Sequence, residues 1–397
     1  MKRKNPRFIV AAAHRARVLL RALNPRKQLI QLAHRRALNW LHVPNFPAPT
    51  AARWPYSGFN QRLAEPRTLR VAAILDEFSA TGFGLECDML AVAPDQWKSQ
   101  LDAFCPDLFL CESAWAGADS EAHPWQGKIY ARLTSPLENR RELLAIVRYC
   151  RRHRIPTVFW NKEDPTHFDD RARNFVATAK LFDHVFTTDI NCVPRYEALG
   201  IHGVQVLQFA VQNQLYFPPA SGTSRDPVVV FAGSWYHDLP ERNAAMRAIF
   251  DTIIASPYEL KIYDRHSQEH HPNHIFPKEY QPYIYPAVTQ SELAEIYRSS
   301  AFGLTINTVT DSATMYARRA YEILASGAVL LSNYSRGIAT DFPDCAIFLD
   351  RDPAALERLT SADITQLSGR AVAAAAQHTY QRRFREIVAA VFPTFKP

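Results

Sequence analysis

Two arginines, Arg318 and Arg319, stand four and three positions ahead of Glu322, with Ser326 and Gly327 closing the same run. At helical spacing both guanidinium groups lie on the side of the carboxylate, so the helix carries one charged face. In isolation that pattern is an exposed ion pair worth about 0.3–0.5 kcal/mol. Its setting argues for more. An apolar run from Phe302 to Asn307 reads as a strand, Ser312 is a plausible helix cap, the helix continues to about Ala325, and 328–331 returns as another strand. This unit places a helix N-terminus beside the carboxyl ends of parallel strands, where unpaired N–H groups favour an anion such as phosphate.

A second set of candidates lies upstream. The apolar run 228–234 reads as a strand that enters the small-residue turn Gly233-Ser234, and the helix from about Leu239 carries Arg242 near its start. Gly233 permits close backbone approach to a phosphate, and Arg242 can neutralise it. Glu163 and His167 follow the strand 157–160 and form the pair best suited to general acid–base work, since either can hold a proton near working pH. The neighbouring Asp164, Asp169 and Asp189 are expected to cap helices. Trp115 and Trp160 offer flat apolar faces, and Asp76, Glu77 and Glu112 follow earlier strands. Thr81 to Gly84 reads as a flexible turn.

The elements that hold these residues form two series. Strands are expected at 69–75, 107–113, 157–160, 184–187 and 204–207, with a helix over about 138–152 among the intervening helical stretches. After the Pro-, Gly- and Ser-rich segment 216–226 come the strands 228–234 and 259–263, the central unit, a last strand at 345–349, and a long helical run from about 363 to 392. The divisions are 1–65 as a basic extension and Pro-rich linker, 66–215, 216–226, 227–362 and 363–397.

At this point the residues resemble a family. ArgAlaTyrGlu at 319 to 322, followed by AlaSerGly at 325 to 327, resembles the donor-binding helix of glycosyltransferases with the two-domain GT-B fold, in particular the CgeB-like (spore-maturation-type) group. The resemblance runs from about Val228 to Gly337. It is looser over Trp160 to Phe168. It implies an α/β fold of two Rossmann-like domains facing each other across a cleft, with a C-terminal helix crossing back to the first. It also implies a nucleotide-sugar donor as co-substrate and no cofactor. Glu322 would hold the ribose hydroxyls, and Arg242, Arg318, Arg319, Asn307 and the turn Gly233-Ser234 would line the donor side. Tyr285 falls in a segment, 283–286, that resembles the one reading the nucleotide base, although a plain edge strand fits it equally. Glu163 or His167 would then face the acceptor, a hydroxyl of a bacterial surface glycan or a lipid-linked molecule. A non-catalytic two-domain nucleotide or sugar binder is the alternative.

Composition narrows the rest. The six cysteines are scattered without CxxC spacing, which favours a reduced cytoplasmic setting over a disulfide framework. His266, His270, His271 and His274 invite a metal reading, but their spacing matches no regular ligand pattern, so no metal site is expected. No apolar run reaches the roughly 18 residues that span a bilayer. The net charge of +7 is local: residues 1–53 hold 12 Lys and Arg and no acids, leaving 34 basic against 39 acidic residues beyond them. That segment suits an extension of the domain without a binding role, or contact with anionic lipid at the inner membrane face. Nucleic acid is disfavoured as a partner because no recognised motif accompanies the charge.

Overall fold

The computed structural model describes residues 54–135, 137–269 and 271–393, and the expectations for 1–53 and for His270 lie outside them. Near-continuous apolar runs of four to six residues, rich in Val, Ile, Leu and Phe, become parallel strands covered on both faces. The first series comprises helix α1 (Phe59–Ala64), strand β1 (Arg70–Ile74), α2 (Glu77–Gly84), β2 (Asp88–Ala91), α3 (Trp97–Phe104) and β3 (Leu108–Glu112). It continues with α4 (Arg141–His153), β4 (Thr157–Asn161), α5 (Val176–Ala179), β5 (His184–Thr187), α6 (Val193–Ala198) and β6 (Gln205–Val206). These strands make one six-stranded sheet in the order β2-β1-β3-β4-β5-β6.

The second series begins with β7 (Asp226–Gly233), α7 (Pro240–Ala255), β8 (Glu259–Asp264), β9 (Ile284–Tyr285), α8 (Gln290–Ser299) and β10 (Ser300–Thr305). It ends with α9 (Arg319–Ala325), β11 (Val329–Ser332), α10 (Arg336–Asp341), β12 (Ala346–Phe348), α11 (Ala355–Arg358), α12 (Ser361–Ala375) and α13 (Tyr380–Val391). Its sheet runs β12-β11-β10-β7-β8-β9, and every strand pairing in both sheets is parallel. Strand order reverses direction between β1 and β3 in the first sheet and between β7 and β10 in the second. Such switch points open a crevice beyond the strand carboxyl ends.

Several local expectations give way to tertiary structure. Thr81 to Gly84 is the end of helix α2 and not a turn, because Gly82 lets the Tyr380 ring pack against the helix. Ser312 caps no helix. Helix α9 starts only at Arg319, and Ser312 instead donates to Asp189 Oδ1 at 2.6 Å while accepting from Met315 N at 3.0 Å. The long terminal helix is two, α12 and α13, broken where His378 O accepts from Val211 N and Tyr380 N donates to Val211 O.

Helix α13 then crosses to the first sheet. Tyr380, Phe384, Ile387 and Val388 share a core with Val71, Phe83 and Leu110, and Phe392 stacks on Trp54. The two halves of the chain also meet directly. Thr314 Oγ1 donates to Thr188 O at 2.9 Å, Gln208 Nε2 donates to Asp341 Oδ2 at 2.6 Å, and Arg383 Nε donates to Gln208 O at 3.1 Å.

A Cβ on Gly82 would stand 2.4 Å from Tyr380 ring carbons, whereas one on the exposed helical Gly369 would meet nothing within 4 Å. Gly82→Ala should therefore cost about 1–3 kcal/mol through overpacking. Gly369→Ala should gain up to about 1 kcal/mol from helix propensity. Urea denaturation of the two variants measures both, and equal effects would contradict the packing of α13 on α2.

Candidate active site in the interdomain cleft

The carboxyl ends of both sheets face one cavity of about 760 Å³. The first sheet's side supplies Asp76, Phe78, Trp115, Lys162, Glu163 and His167, and the second supplies Tyr236, Arg265, His266, His274 and Arg318. That volume lies within the range of small-molecule sites.

At the first switch point, Asp76 follows β1 and Glu112 ends β3, and between them sits Lys162, which follows β4. Lys162 Nζ donates to Asp76 Oδ2 at 2.8 Å and to Glu112 Oε1 at 2.7 Å. Burial resists all three charges. The lysine nevertheless holds Asp76 below its ordinary carboxylate value, whereas burial keeps Glu112 raised. Asp76 also accepts from the backbone N–H groups of Trp115, Ala116 and Gly117, so the triad fixes the loop that presents Trp115.

Beside it, His167 Nδ1 faces Asp170 Oδ2 at 3.3 Å, and Nε2 stands 3.9 Å from Glu163 Oε2. Burial works against charge on Asp170, but bonds from Arg173 and Ala172 N–H and from the Arg173 and His167 side chains hold its pKa down at about 2. Asp170 is thus an ionised orienter, and the Glu163–His167 pair opens on the cavity next to Trp115, whose ring lies edge-on to His167 at 5.2 Å. A carboxylate–imidazole pair in such a position can accept a proton from a hydroxyl.

Three other expected roles fail here. Trp160 is buried within β4 and its indole donates to Leu207 O at 2.9 Å, so it offers no face to a ligand. Asp164 caps nothing: it is fully buried, accepts from Asn161, Thr187 and Tyr196, and burial pushes its pKa up to about 7. Asp189 does cap, accepting from Asn191 N at 3.0 Å, whereas Asp169 caps no helix among the described residues and instead pairs with Arg195 at 2.6 Å.

On the second domain's side, β7 runs into Gly233. A Cβ there would meet the Phe231 ring at 2.6 Å and Arg319 Nη2 at 3.3 Å, so only glycine lets the arginine approach the turn this closely. Arg242 is buried and donates to Ser234 O at 3.1 Å. Its pKa falls to about 10, chiefly through burial and then through the neighbouring charge of Arg319, with Arg265 adding to the effect. Burial also lowers the Arg319 pKa, with Arg265 and Arg318 adding repulsion.

Among the described residues, Arg318 is the member of this group of four arginines with a carboxylate at ion-pair distance: its Nη1 lies 2.7 Å from Glu322 Oε1. The Arg318 guanidinium also spans the cleft to lie 3.8 Å from the Phe78 ring centroid. Charged groups that repel one another in a poorly solvated place make an anion site.

The expected donor residues are therefore not equivalent. Arg318 lines the cavity, while Gly233, Ser234, Arg242 and Arg319 cluster around the β7 turn and do not themselves line it. Glu322 sits behind Arg318, buried, with its Oε2 shielded and unpartnered among the described residues. Asn307 belongs to a buried network, accepting from Ala317 N at 2.8 Å and donating to Ser332 Oγ at 2.9 Å, which positions the loop leading into α9. Tyr285 is an exposed residue on the edge strand β9, its ring tilted against that of Tyr263, and it does not line the cavity.

Phe78, Tyr236 and Arg265 were not among the expected site residues. Tyr236 and Arg265 sit in loops after strands and Phe78 in the first turn of α2, just after β1, and a place following a strand is the one signal the sequence carries for them.

Residues 259–389 match a family model described as glycosyl transferase-like. No curated protein matches the chain. Among solved structures, an α-glucosyltransferase in complex with UDP-glucose and DNA containing an abasic site superposes with a TM-score of 0.55 at 12% identity, over 81% of this chain and 100% of that one. The same kind of enzyme with UDP and a 13-mer DNA gives a TM-score of 0.51 at 13% identity, over 82% and 99%. HepE of Anabaena in complex with UDP-glucose gives 0.48 at 10%, over 83% and 100%. The fold is GT-B, with two parallel six-stranded sheets and a terminal helix crossing back.

Removing Lys162 would leave the buried Glu112 and the half-buried Asp76 facing one another without a counter-ion. Lys162→Met should cost about 3–5 kcal/mol at pH 7. The Glu112 pKa is already raised by burial, so the unfolded chain releases that proton first and stability falls as pH rises through the interval. Without Lys162 the interval widens, so the penalty should shrink toward pH 4–5. Denaturation of parent and variant across pH checks the sign, and a penalty independent of pH would contradict it.

Proposed function

We propose that the protein is a glycosyltransferase that moves a sugar from a nucleoside-diphosphate donor to an acceptor hydroxyl across the cleft. The observation that carries this reading is the arginine group at the end of β7, where Arg242, Arg265 and Arg319 repel one another beside a glycine turn and, among the described residues, have no carboxylate within ion-pair distance. A diphosphate supplies the missing charge. Because that charge grows as the sugar–phosphate bond breaks, preorganised guanidinium groups stabilise the transition state more than the ground state. The transfer then needs no metal to meet the leaving group.

In this reading Glu322 turns its unpartnered oxygen to the ribose hydroxyls, and Arg318, braced by Glu322 and Phe78, ties donor binding to the position of the first domain. Glu163 or His167 accepts the proton of the attacking hydroxyl, with Asp170 holding the imidazole. Trp115 gives the acceptor an apolar face. The residues ArgAlaTyrGlu at 319 to 322 support a place beside the CgeB-like enzymes. No helix among the described residues is long and apolar enough to cross a membrane. The basic balance of residues 1–53 supports an enzyme working at the cytoplasmic membrane face on a surface glycan or lipid-linked acceptor.

A thermal-shift and calorimetry panel of UDP-, GDP-, CMP- and dTDP-sugars tests the reading, starting from UDP-glucose because an α-glucosyltransferase of similar fold holds it. One nucleotide sugar should stabilise the protein and be consumed on addition of acceptor. Arg319→Ala should weaken its binding by about 10–150-fold, the range for a charge-assisted hydrogen bond of about 1.5–3 kcal/mol. Glu322→Gln should weaken ribonucleotides more than their 2′-deoxy forms. Equal binding by parent and Arg319→Ala would overturn the assignment, and binding without turnover would make the protein a binder.

A further inference from the structure

At the rim of the cavity the loop after β8 folds back on itself and brings together three side chains that are three and five positions apart in sequence. His266 Nδ1 lies 2.9 Å from Glu269 Oε2, and His274 Nδ1 lies 3.5 Å from that same oxygen. The ligand atoms of all three residues fall within 4.8 Å of one another.

Both Nδ1 atoms are shielded from solvent, yet neither has the alignment of a hydrogen bond. The two imidazoles stack at 3.9 Å, an arrangement with no benefit for two cationic rings. Two neutral imidazoles and one carboxylate converging on a point are the donor set of a divalent transition metal, above all zinc. With metal–ligand distances of about 2.0–2.1 Å, the edge of a tetrahedral site measures about 3.3–3.4 Å. The two nitrogen–oxygen separations fall on either side of that edge.

The surroundings hold the three ligands in place. Asp264 Oδ1 accepts from His266 N at 2.9 Å and fixes the start of the loop. Tyr236 lies edge-on to the His274 ring at 5.3 Å. Asn273 Nδ2 donates to Asp238 Oδ1 at 2.9 Å, and His237 N donates to Asn273 O at 3.0 Å, which binds the loop to the one following Gly233.

We propose that His266, Glu269 and His274 form a zinc-binding site with three protein ligands and a fourth position open to water or a substrate oxygen. Because His266 and His274 both line the cavity, the metal fastens the rim that Arg265 and Tyr236 also build. The irregular spacing hid the site in the sequence, since the loop's path and not a helical or strand period brings the ligands together.

The test is calorimetric titration of Zn2+ into the full-length, untagged chain stripped by chelator, in the absence of nucleotide. It is therefore read independently of donor binding. The parent should take up one equivalent of Zn2+ in a tight phase and gain thermal stability. Glu269→Gln and His274→Ala should each weaken that phase by about 100-fold or more, while His202→Ala leaves it unchanged. Glu269 is largely exposed, so its conservative variant serves if His274→Ala does not fold. Absence of a stoichiometric phase, or equal affinity in parent and Glu269→Gln, would overturn the proposal.

Discussion

The organisation of the cleft depends on a gathering of guanidinium groups at the end of β7, of which Arg242, Arg265 and Arg319 have no carboxylate within ion-pair distance among the described residues. Burial lowers the proton affinity of both Arg242 and Arg319; Arg319 and Arg265 add to the effect on Arg242, and Arg265 and Arg318 to that on Arg319. A folded chain pays for holding such a group together unless an anion arrives. The strand β7 and its glycine end gather the arginines at the switch point of the second sheet, beyond the strand carboxyl ends. The first domain answers with the opposite balance, two carboxylates around one lysine, which stays closed on itself and holds the Trp115 loop.

Communication between the lobes follows from the same group. Arg318 is the one arginine of the four that touches both domains, stacking on Phe78 while bonded to Glu322. Around it, Thr314, Ser312 and Gln208 bond across the junction, and the chain passes between domains twice, at Val211 and at Thr379, as neighbouring segments. Donor charge drawn toward Arg319 would be felt at Arg318 and hence at Phe78.

The alternation of strands and helices was legible because parallel strands buried on both faces read as apolar runs and Gly327 ends its helix with a positive φ of 72°. The charged face of α9 was legible for a similar reason, since spacing of three and four is local. What depended on distant partners was not. Trp160 reads as an exposed aromatic only until β4 is known to lie inside the sheet between β3 and β5. Gly82 reads as a breaker until Tyr380, nearly 300 residues later, is seen to need the space. Ser312 has the residue type and position of a cap, and its true partner, Asp189, lies in the other domain. Asp164 and the His266–Glu269–His274 group show the same limit, because burial and loop path are not periodic signals.

The most direct measurement is a structure of the protein with a nucleoside diphosphate bound. The account predicts the diphosphate within hydrogen-bond reach of Arg319 and the Gly233-Ser234 backbone, with the ribose on Glu322. A diphosphate seated on Lys162 of the first domain, with Arg242 and Arg319 left untouched, would contradict it.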